Sequence, residues 1–195
     1  MILLWLIIVL LAGGIIAALV EGIDRRLPRT VSLAALIIDL FLMIPPVLSL
    51  KSGLAGWVYE FNVQWIPQVG VRFHLAMDGL SMLLVFLALF LGIPALVGSW
   101  SRIEEKRGFF HLNVLWTLAG VIGVFLAMDL FLFYFFWEMM LFPMYFLIAI
   151  WGHEDRFRAS VKFFLFTQLS GLLMLMTIIG LYFVHGRSTG IYSFG

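Results

Sequence analysis

The sequence contains no cysteine, and this absence excludes several kinds of chemistry. Disulfides, thiolate metal sites and cysteine-held iron–sulfur clusters all need cysteine side chains, so none can form within these 195 residues. Charged residues are also scarce, at 12% of the chain against about 25% in soluble domains. The formal net charge is +1 and no basic run occurs, so we expect no nucleic-acid partner.

Several catalytic motifs are absent as well. The chain has no HExxH zinc motif, no phosphate-binding glycine loop, no Ser/His/Asp set and no paired histidines at haem-ligating spacing in its apolar segments. We therefore expect no metal or cofactor in this chain itself, and we expect any energy source to act through a partner.

Apolar residues make up 64% of the chain, and they are gathered in long runs. A helix needs about 20 mostly apolar residues to cross about 30 Å of hydrocarbon. Six segments meet this condition: 2–20, 30–50, 79–100, 110–128, 130–150 and 160–184. The sequence therefore predicts an all-α polytopic membrane protein in a lipid bilayer. The first run lacks the positive start of a cleaved signal peptide, so we expect it to be a retained helix.

The positions of lysine and arginine predict the orientation of the helices. Nine of the 12 basic residues fall on one side: Arg25, Arg26, Arg29, Arg102, Lys106, Arg107, Arg156, Arg158 and Lys162. The other three, Lys51, Arg72 and Arg187, fall on the opposite side. Because loops rich in Lys and Arg stay inside, both termini are expected outside.

The segment before the third predicted helix has a different pattern. Aromatic residues and valine alternate with other residues in WVYEFNVQW (57–65), and the alternation resumes at 71–75 after IPQVG. Two period-2 runs around a Pro/Gly break predict an antiparallel β-hairpin on the outer face, resting on the membrane interface or on a partner. We also expect Asp78 to cap the third helix and Asp129 to mark a tight turn before the fifth.

One acid, Glu138, stands near the middle of the fifth segment, in FYFFWEMMLFPMYF (133–146). At about 1.5 Å per residue it lies roughly 12 Å from one end and roughly 18 Å from the other. An ionisable group at that depth costs about 2.5–3.5 kcal/mol to insert and usually serves an ion pathway or a proton relay. Glu138 is therefore a candidate proton-transfer residue. The alternative is a structural acid hydrogen-bonded to a neighbouring helix.

Other polar residues in or near the spans have two interpretations each. Asp39, near the centre of the second segment, is either functional or paired with a polar group on another helix. Lys162 is a candidate proton-path residue or an interface anchor, and His153 is a proton shuttle or a helix C-terminal cap. The polar inner end of the fourth segment, His111, Asn113 and Thr117, is ambiguous in the same way.

The run from 111 to 152, HLNVLWTLAGVIGVFLAMDLFLFYFFWEMMLFPMYFLIAIWG, closely resembles the antiporter-like membrane subunits of respiratory complex I, the proton-translocating NADH:quinone oxidoreductase. HLAMDGLSMLLV (74–85), GFFHLNV (108–114) and KFFLFTQLSG (162–171) extend the resemblance. It implies the first part of an inverted-repeat fold with broken helices, related to sodium/proton antiporters. Family members have more helices than six, so the chain is expected to match only the N-terminal part of such a subunit.

The resemblance also implies roles for individual residues and partners. Glu138 would be the essential acid of a half-channel, paired with a lysine on a later helix that is missing here, and Lys162 would be a second family position. The partners would be other antiporter-like and small membrane subunits, touched in part through the hairpin. NADH, FMN, iron–sulfur clusters and quinone would be carried by partner subunits, and the location would be the bacterial inner membrane.

The resemblance divides the chain into parts and leaves alternatives open. The expected parts are two leading helices (1–50), an outer loop with the hairpin (51–78), a third helix (79–100), the first three helices of the antiporter-like repeat (110–184) and an outer tail (185–195). The alternatives are a subunit of a sodium/proton antiporter, a subunit of a membrane-bound hydrogenase-type complex, and a scaffold in which Glu138 only pins helix packing.

Overall fold

The computed structural model describes residues 1–49, 56–190 and 193–194, with the side chain of Thr189 left aside. Within these residues the elements in chain order are α1 (Ile2–Val20), α2 (Leu27–Leu42), α3 (Ile44–Leu48), β1 (Tyr59–Ile66), a 3-10 turn (Pro67–Val69), β2 (Val71–Met77), α4 (Gly79–Ser99), α5 (Arg107–Leu126), α6 (Leu130–Trp151) and α7 (Arg156–Thr189). Six helical spans, with α2 and α3 counted as one, are long and apolar enough to cross a membrane. The predicted fold class is confirmed, while the side on which the termini lie stays a prediction.

The first span has its predicted bounds, α4 and α6 differ from theirs by one residue, and α5 begins three residues and ends two residues earlier than expected; the second and last spans differ in ways that have a physical reason. The second span begins earlier than expected, at Leu27, and is divided at Met43, because Pro45 and Pro46 cannot donate backbone hydrogen bonds to the preceding turn. The last helix runs from Arg156 to Thr189, past the expected limits of 160–184. Residues 50–55, 191–192 and 195, which belong to the predicted second span, outer loop and tail, lie outside the described residues.

The predicted hairpin is present, and it is tied to the helices at both ends. Strands β1 and β2 pair antiparallel with Phe61 opposite Leu75. The Asp78 carboxylate accepts the Ser81 N–H at 2.7 Å and begins α4, and these bonds lower the pKa of Asp78 below its usual range. Asp129 caps α6 and also accepts the Arg72 N–H at 3.0 Å. The expected cap at Asp78 is therefore found, and Asp129, predicted only to mark a tight turn between two spans, lies at that turn and also caps α6.

Helix α5 is the central helix and contacts α1, α2, α4 and α6. Its contact with α1 is close: a Cβ added at Gly108 would come within 2.7 Å of the Ala17 carbonyl oxygen. The Trp116 indole donates to the Leu11 carbonyl across the same interface at 3.1 Å. Buried side chains on these two helices include Leu6, Leu10, Leu115 and Ile122. This packed pair supports the helices that carry the candidate site.

Candidate functional site

Helix α6 lies between α5 and α7, and two glycines of α5 determine how α6 is rotated. A Cβ added at Gly120 would come within 2.7 Å of the Met140 Cβ, and one added at Gly123 would collide with the Phe136 ring. Met140 and Phe136 therefore face α5. Each is two residues from Glu138, which corresponds to about 200° of rotation around the helix. Glu138 consequently points away from α5.

The Glu138 carboxylate instead meets α7 at Gly171. A Cβ added at Gly171 would overlap the Glu138 Oε1 and would lie 3.3 Å from the carboxyl carbon and 3.9 Å from Oε2. All three nearest heavy atoms thus belong to this one side chain. The carboxylate occupies a recess on α7 that exists because residue 171 has no side chain.

The polar surroundings of Glu138 are sparse. Its Oε1 is buried and has no hydrogen-bond partner among the described residues. Tyr134, one turn earlier on α6, lies close enough for its phenol to interact with the carboxylate. An unpaired buried acceptor costs about 1–3 kcal/mol, so Oε1 is an acceptor that lacks a donor among the described residues.

The structure does not bring the three candidate proton-transfer residues together. Lys162 is exposed on α7, nine residues before Gly171, which is about 14 Å along the helix axis. His153 is exposed between α6 and α7. The contact between His74 and Glu60 at 2.7 Å is the only close pairing of a basic and an acidic side chain in the described ranges, so Glu138 has no basic partner there. The roles of Lys162 and His153 stay predictions.

The polar inner end of α5 is largely occupied with its own backbone. Asn113 donates to the Phe109 carbonyl at 2.6 Å, and the Thr117 hydroxyl donates to the Asn113 carbonyl at 2.8 Å. His111 is 2% exposed, its Nδ1 has no partner in the described part of the chain, and the charge of Arg29 is near enough to act on it. The side chains of Asn113 and Thr117 are thereby satisfied by the backbone of their own helix, whereas His111 Nδ1 is not.

Asp39 is the second mid-membrane acid, and it lies at the centre of the packed helices. It is fully buried, at 0% exposure, and neither carboxylate oxygen has a partner within the described residues. The polar partner on another helix that the sequence suggested is not among them. Those residues also contain no group of three His, Asp or Glu side chains that could hold a metal ion.

Six helices that are long and apolar enough to cross a membrane, with an acid lodged between two of them, define a multi-pass membrane protein. Residues 127–193 match the family described as NADH:quinone oxidoreductase/Mrp antiporter, transmembrane. NADH-quinone oxidoreductase subunit M of Escherichia coli (strain K12) is 48% identical over 205 aligned positions, which cover 100% of this chain and 40% of the relative.

Two solved structures extend the comparison. A chain of respiratory complex I from Thermus thermophilus with bound NADH is 28% identical, has a TM-score of 0.77 and covers 100% of this chain and 38% of its own length. A chain of the Mrp complex from Dietzia sp. shares the fold, with a TM-score of 0.78 at 21% identity over 96% of this chain and 20% of its own.

The chain belongs to the family of antiporter-like membrane subunits found in NADH:quinone oxidoreductases, as its sequence predicted. It spans about two fifths of the length of the curated relatives that it matches.

Gly171 is the site residue that sequence reasoning missed. Its only signal was its place in KFFLFTQLSG, where small and polar residues interrupt an apolar run. Such residues are equally typical of plain helix–helix packing. Which glycine faces Glu138 depends on the rotation of α7 against α6, and hydropathy carries no information about that rotation.

Proposed function

We propose that this chain is part of a proton-translocating membrane subunit of an NADH:quinone oxidoreductase, in which Glu138 accepts and releases a proton within the membrane. The observation that supports this role is the buried Oε1 of Glu138, which has no partner in the described residues and lies in the recess at Gly171. The named relatives and the complex I chain of similar fold support the kind of assembly.

In the proposed step, a cation that approaches or leaves Glu138 changes which form of the carboxyl is favoured. A nearby positive charge favours the ionised form, and its removal in an apolar setting favours the protonated form. Each tenfold change in proton affinity corresponds to about 1.4 kcal/mol. The resemblance assigns the cation to a lysine on a helix beyond this chain. Tyr134 would keep the Glu138 carboxyl group in place through its phenol while the carboxyl group changes between its ionised and its protonated form.

The wider assignment follows from the same proposal. NADH, FMN, iron–sulfur clusters and quinone would be bound by partner subunits, and the neighbours in the bilayer would be other antiporter-like and small membrane subunits. The location would be a bacterial inner membrane with both termini outside. Residues 110–184 would be the first three helices of the repeat, preceded by the leading helices and the hairpin loop.

Substitution of Glu138 in the full-length subunit of the assembled complex tests the proposal. In inverted membrane vesicles energised with NADH, we expect Glu138→Ala and Glu138→Gln to lose most of the proton pumping and Glu138→Asp to keep part of it, because only Asp retains a titratable group. Normal pumping by Glu138→Gln would contradict the proposal. Lys162→Ala and His153→Ala in the same assay test the relay, since unchanged pumping would assign both residues to the membrane interface.

A sodium/proton antiporter subunit is the second candidate. The matching family includes Mrp antiporters, and the Mrp chain from Dietzia sp. shares the fold. Sodium-driven proton movement in vesicles without NADH would favour this function. Co-purification with flavin and iron–sulfur subunits would favour the first.

A further inference from the structure

Gly171 differs from Gly120 and Gly123, the two glycines of α5 that contact α6, in what an added side chain would meet. At Gly120 and Gly123 the obstacles are the Met140 Cβ and backbone and the Phe136 ring, which are rigidly held parts of α6. At Gly171 the nearest obstacle is the carboxylate at the far end of Glu138. A methyl group at 171 therefore allows α6 and α7 to keep their present spacing, because only the Glu138 carboxylate has to move away from it.

We propose that Gly171 is a positioning residue that keeps open the recess in which the Glu138 carboxylate lies. The inference rests on the proposed function of Glu138 and adds a residue on α7 to it. With hydrogen at 171, Oε1 lies against the α7 backbone, in the space that the Cβ of any other residue would fill. With a methyl group there, Glu138 adopts another rotamer and presents its carboxylate to different surroundings, so its protonation changes while the helices stay packed.

Gly180 provides a matched control on the same helix. It lies nine residues after Gly171 on α7, and a Cβ added there meets nothing within 4 Å. Gly→Ala at either position gives the same gain in helix propensity. A difference between Gly171→Ala and Gly180→Ala therefore reports the contact with Glu138.

The test measures NADH-driven proton pumping by the assembled complex carrying the full-length subunit, over a range of pH. We expect Gly171→Ala to assemble normally, to pump at least about tenfold less, because a misplacement of about 1 Å can cost up to about 100-fold, and to shift the pH of half-maximal pumping. Gly180→Ala is expected to match the wild type in all three. Equal behaviour of the two variants would overturn the inference.

A shorter acid at position 138 provides a second test of the contact between Gly171 and Glu138. Glu138→Asp withdraws the carboxylate by one carbon–carbon bond, about 1.5 Å, so a methyl group at 171 no longer overlaps it. We expect Gly171→Ala to have little further effect in the Glu138→Asp background, which is a non-additive result typical of residues in contact. The same loss in both backgrounds would show a merely structural role and overturn the inference.

The outcomes separate this inference from the function on which it rests. Normal pumping by Glu138→Gln would refute the proposed function whatever Gly171→Ala does. Loss of pumping by Glu138→Gln, together with wild-type behaviour of Gly171→Ala, would retain the function and refute the positioning role alone.

Discussion

At the scale of single residues, the two mid-membrane acids differ in what can reach them. Glu138 is only partly buried, lies beside Tyr134 and touches α7, the least buried of the six spans. Asp39 is 0% exposed, and the helices α1 and α4 that pack on α2 contain no charged residue. On α5, the titratable groups are Arg107 and His111, both near its first turn. A cation can approach Glu138 far more easily than Asp39.

This difference predicts the effect of replacing Asp39. An unpaired ionised carboxylate in an apolar interior is far more costly than a neutral acid, whose shape asparagine reproduces. We expect Asp39→Asn to keep NADH-driven proton pumping and to leave the thermal stability of the assembled complex nearly unchanged, because asparagine is neutral and has nearly the shape of the neutral acid. Pumping assays and thermal denaturation check this. Loss of pumping at normal assembly would instead assign Asp39 to the proton path.

At the scale of helices, α6 makes two kinds of contact. Toward α5 it packs side chains and backbone against glycine, and toward α7 it places the end of an acidic side chain against glycine. The contact with α5 sets the position and rotation of α6. That rotation directs the Glu138 side chain toward Gly171 of α7. Stability and function are therefore divided between the two faces of one helix.

The α5–α6 contact gives a stability prediction. Gly123→Ala would force a methyl group into the Phe136 ring, which is 2% exposed and has little room to move. Overpacking of this kind costs about 1–3 kcal/mol. We expect a lower melting temperature and less assembled complex for Gly123→Ala than for Gly98→Ala, since a Cβ at Gly98 meets nothing within 4 Å. Equal melting temperatures would contradict this account of the interface.

At the scale of the whole molecule, the basic linkers gather at one end of the helices. Arg29 donates to the Trp100 carbonyl, and the Trp151 indole donates to the Glu105 carbonyl at 3.2 Å. The hairpin, in contrast, meets the turn between α5 and α6, where Leu75 pairs with Ala127. The grouping of the basic loops on one side agrees with the orientation expected from the sequence, and the side of the membrane stays a prediction.

The sequence predicted those features that depend on composition along the chain. Six apolar runs gave six spans, alternation gave the hairpin, Asp78 gave a helix cap, and Asp129 gave the turn between α5 and α6. The sequence did not predict features that depend on how helices pack against each other or on how far a helical backbone continues. Helix α7 continues through polar residues to Thr189, because helical hydrogen bonds do not require apolar side chains. The recess at Gly171 depends on how two helices are rotated, which no periodicity encodes.

The most direct test of the central claim, that Glu138 gains and loses a proton during turnover, is infrared difference spectroscopy of the assembled complex with and without NADH. We predict that NADH changes a carbonyl-stretching band of a protonated carboxyl group. This change should vanish in Glu138→Gln and move in Glu138→Asp. An identical NADH-induced carboxyl signal in the wild type and in Glu138→Gln would contradict the claim.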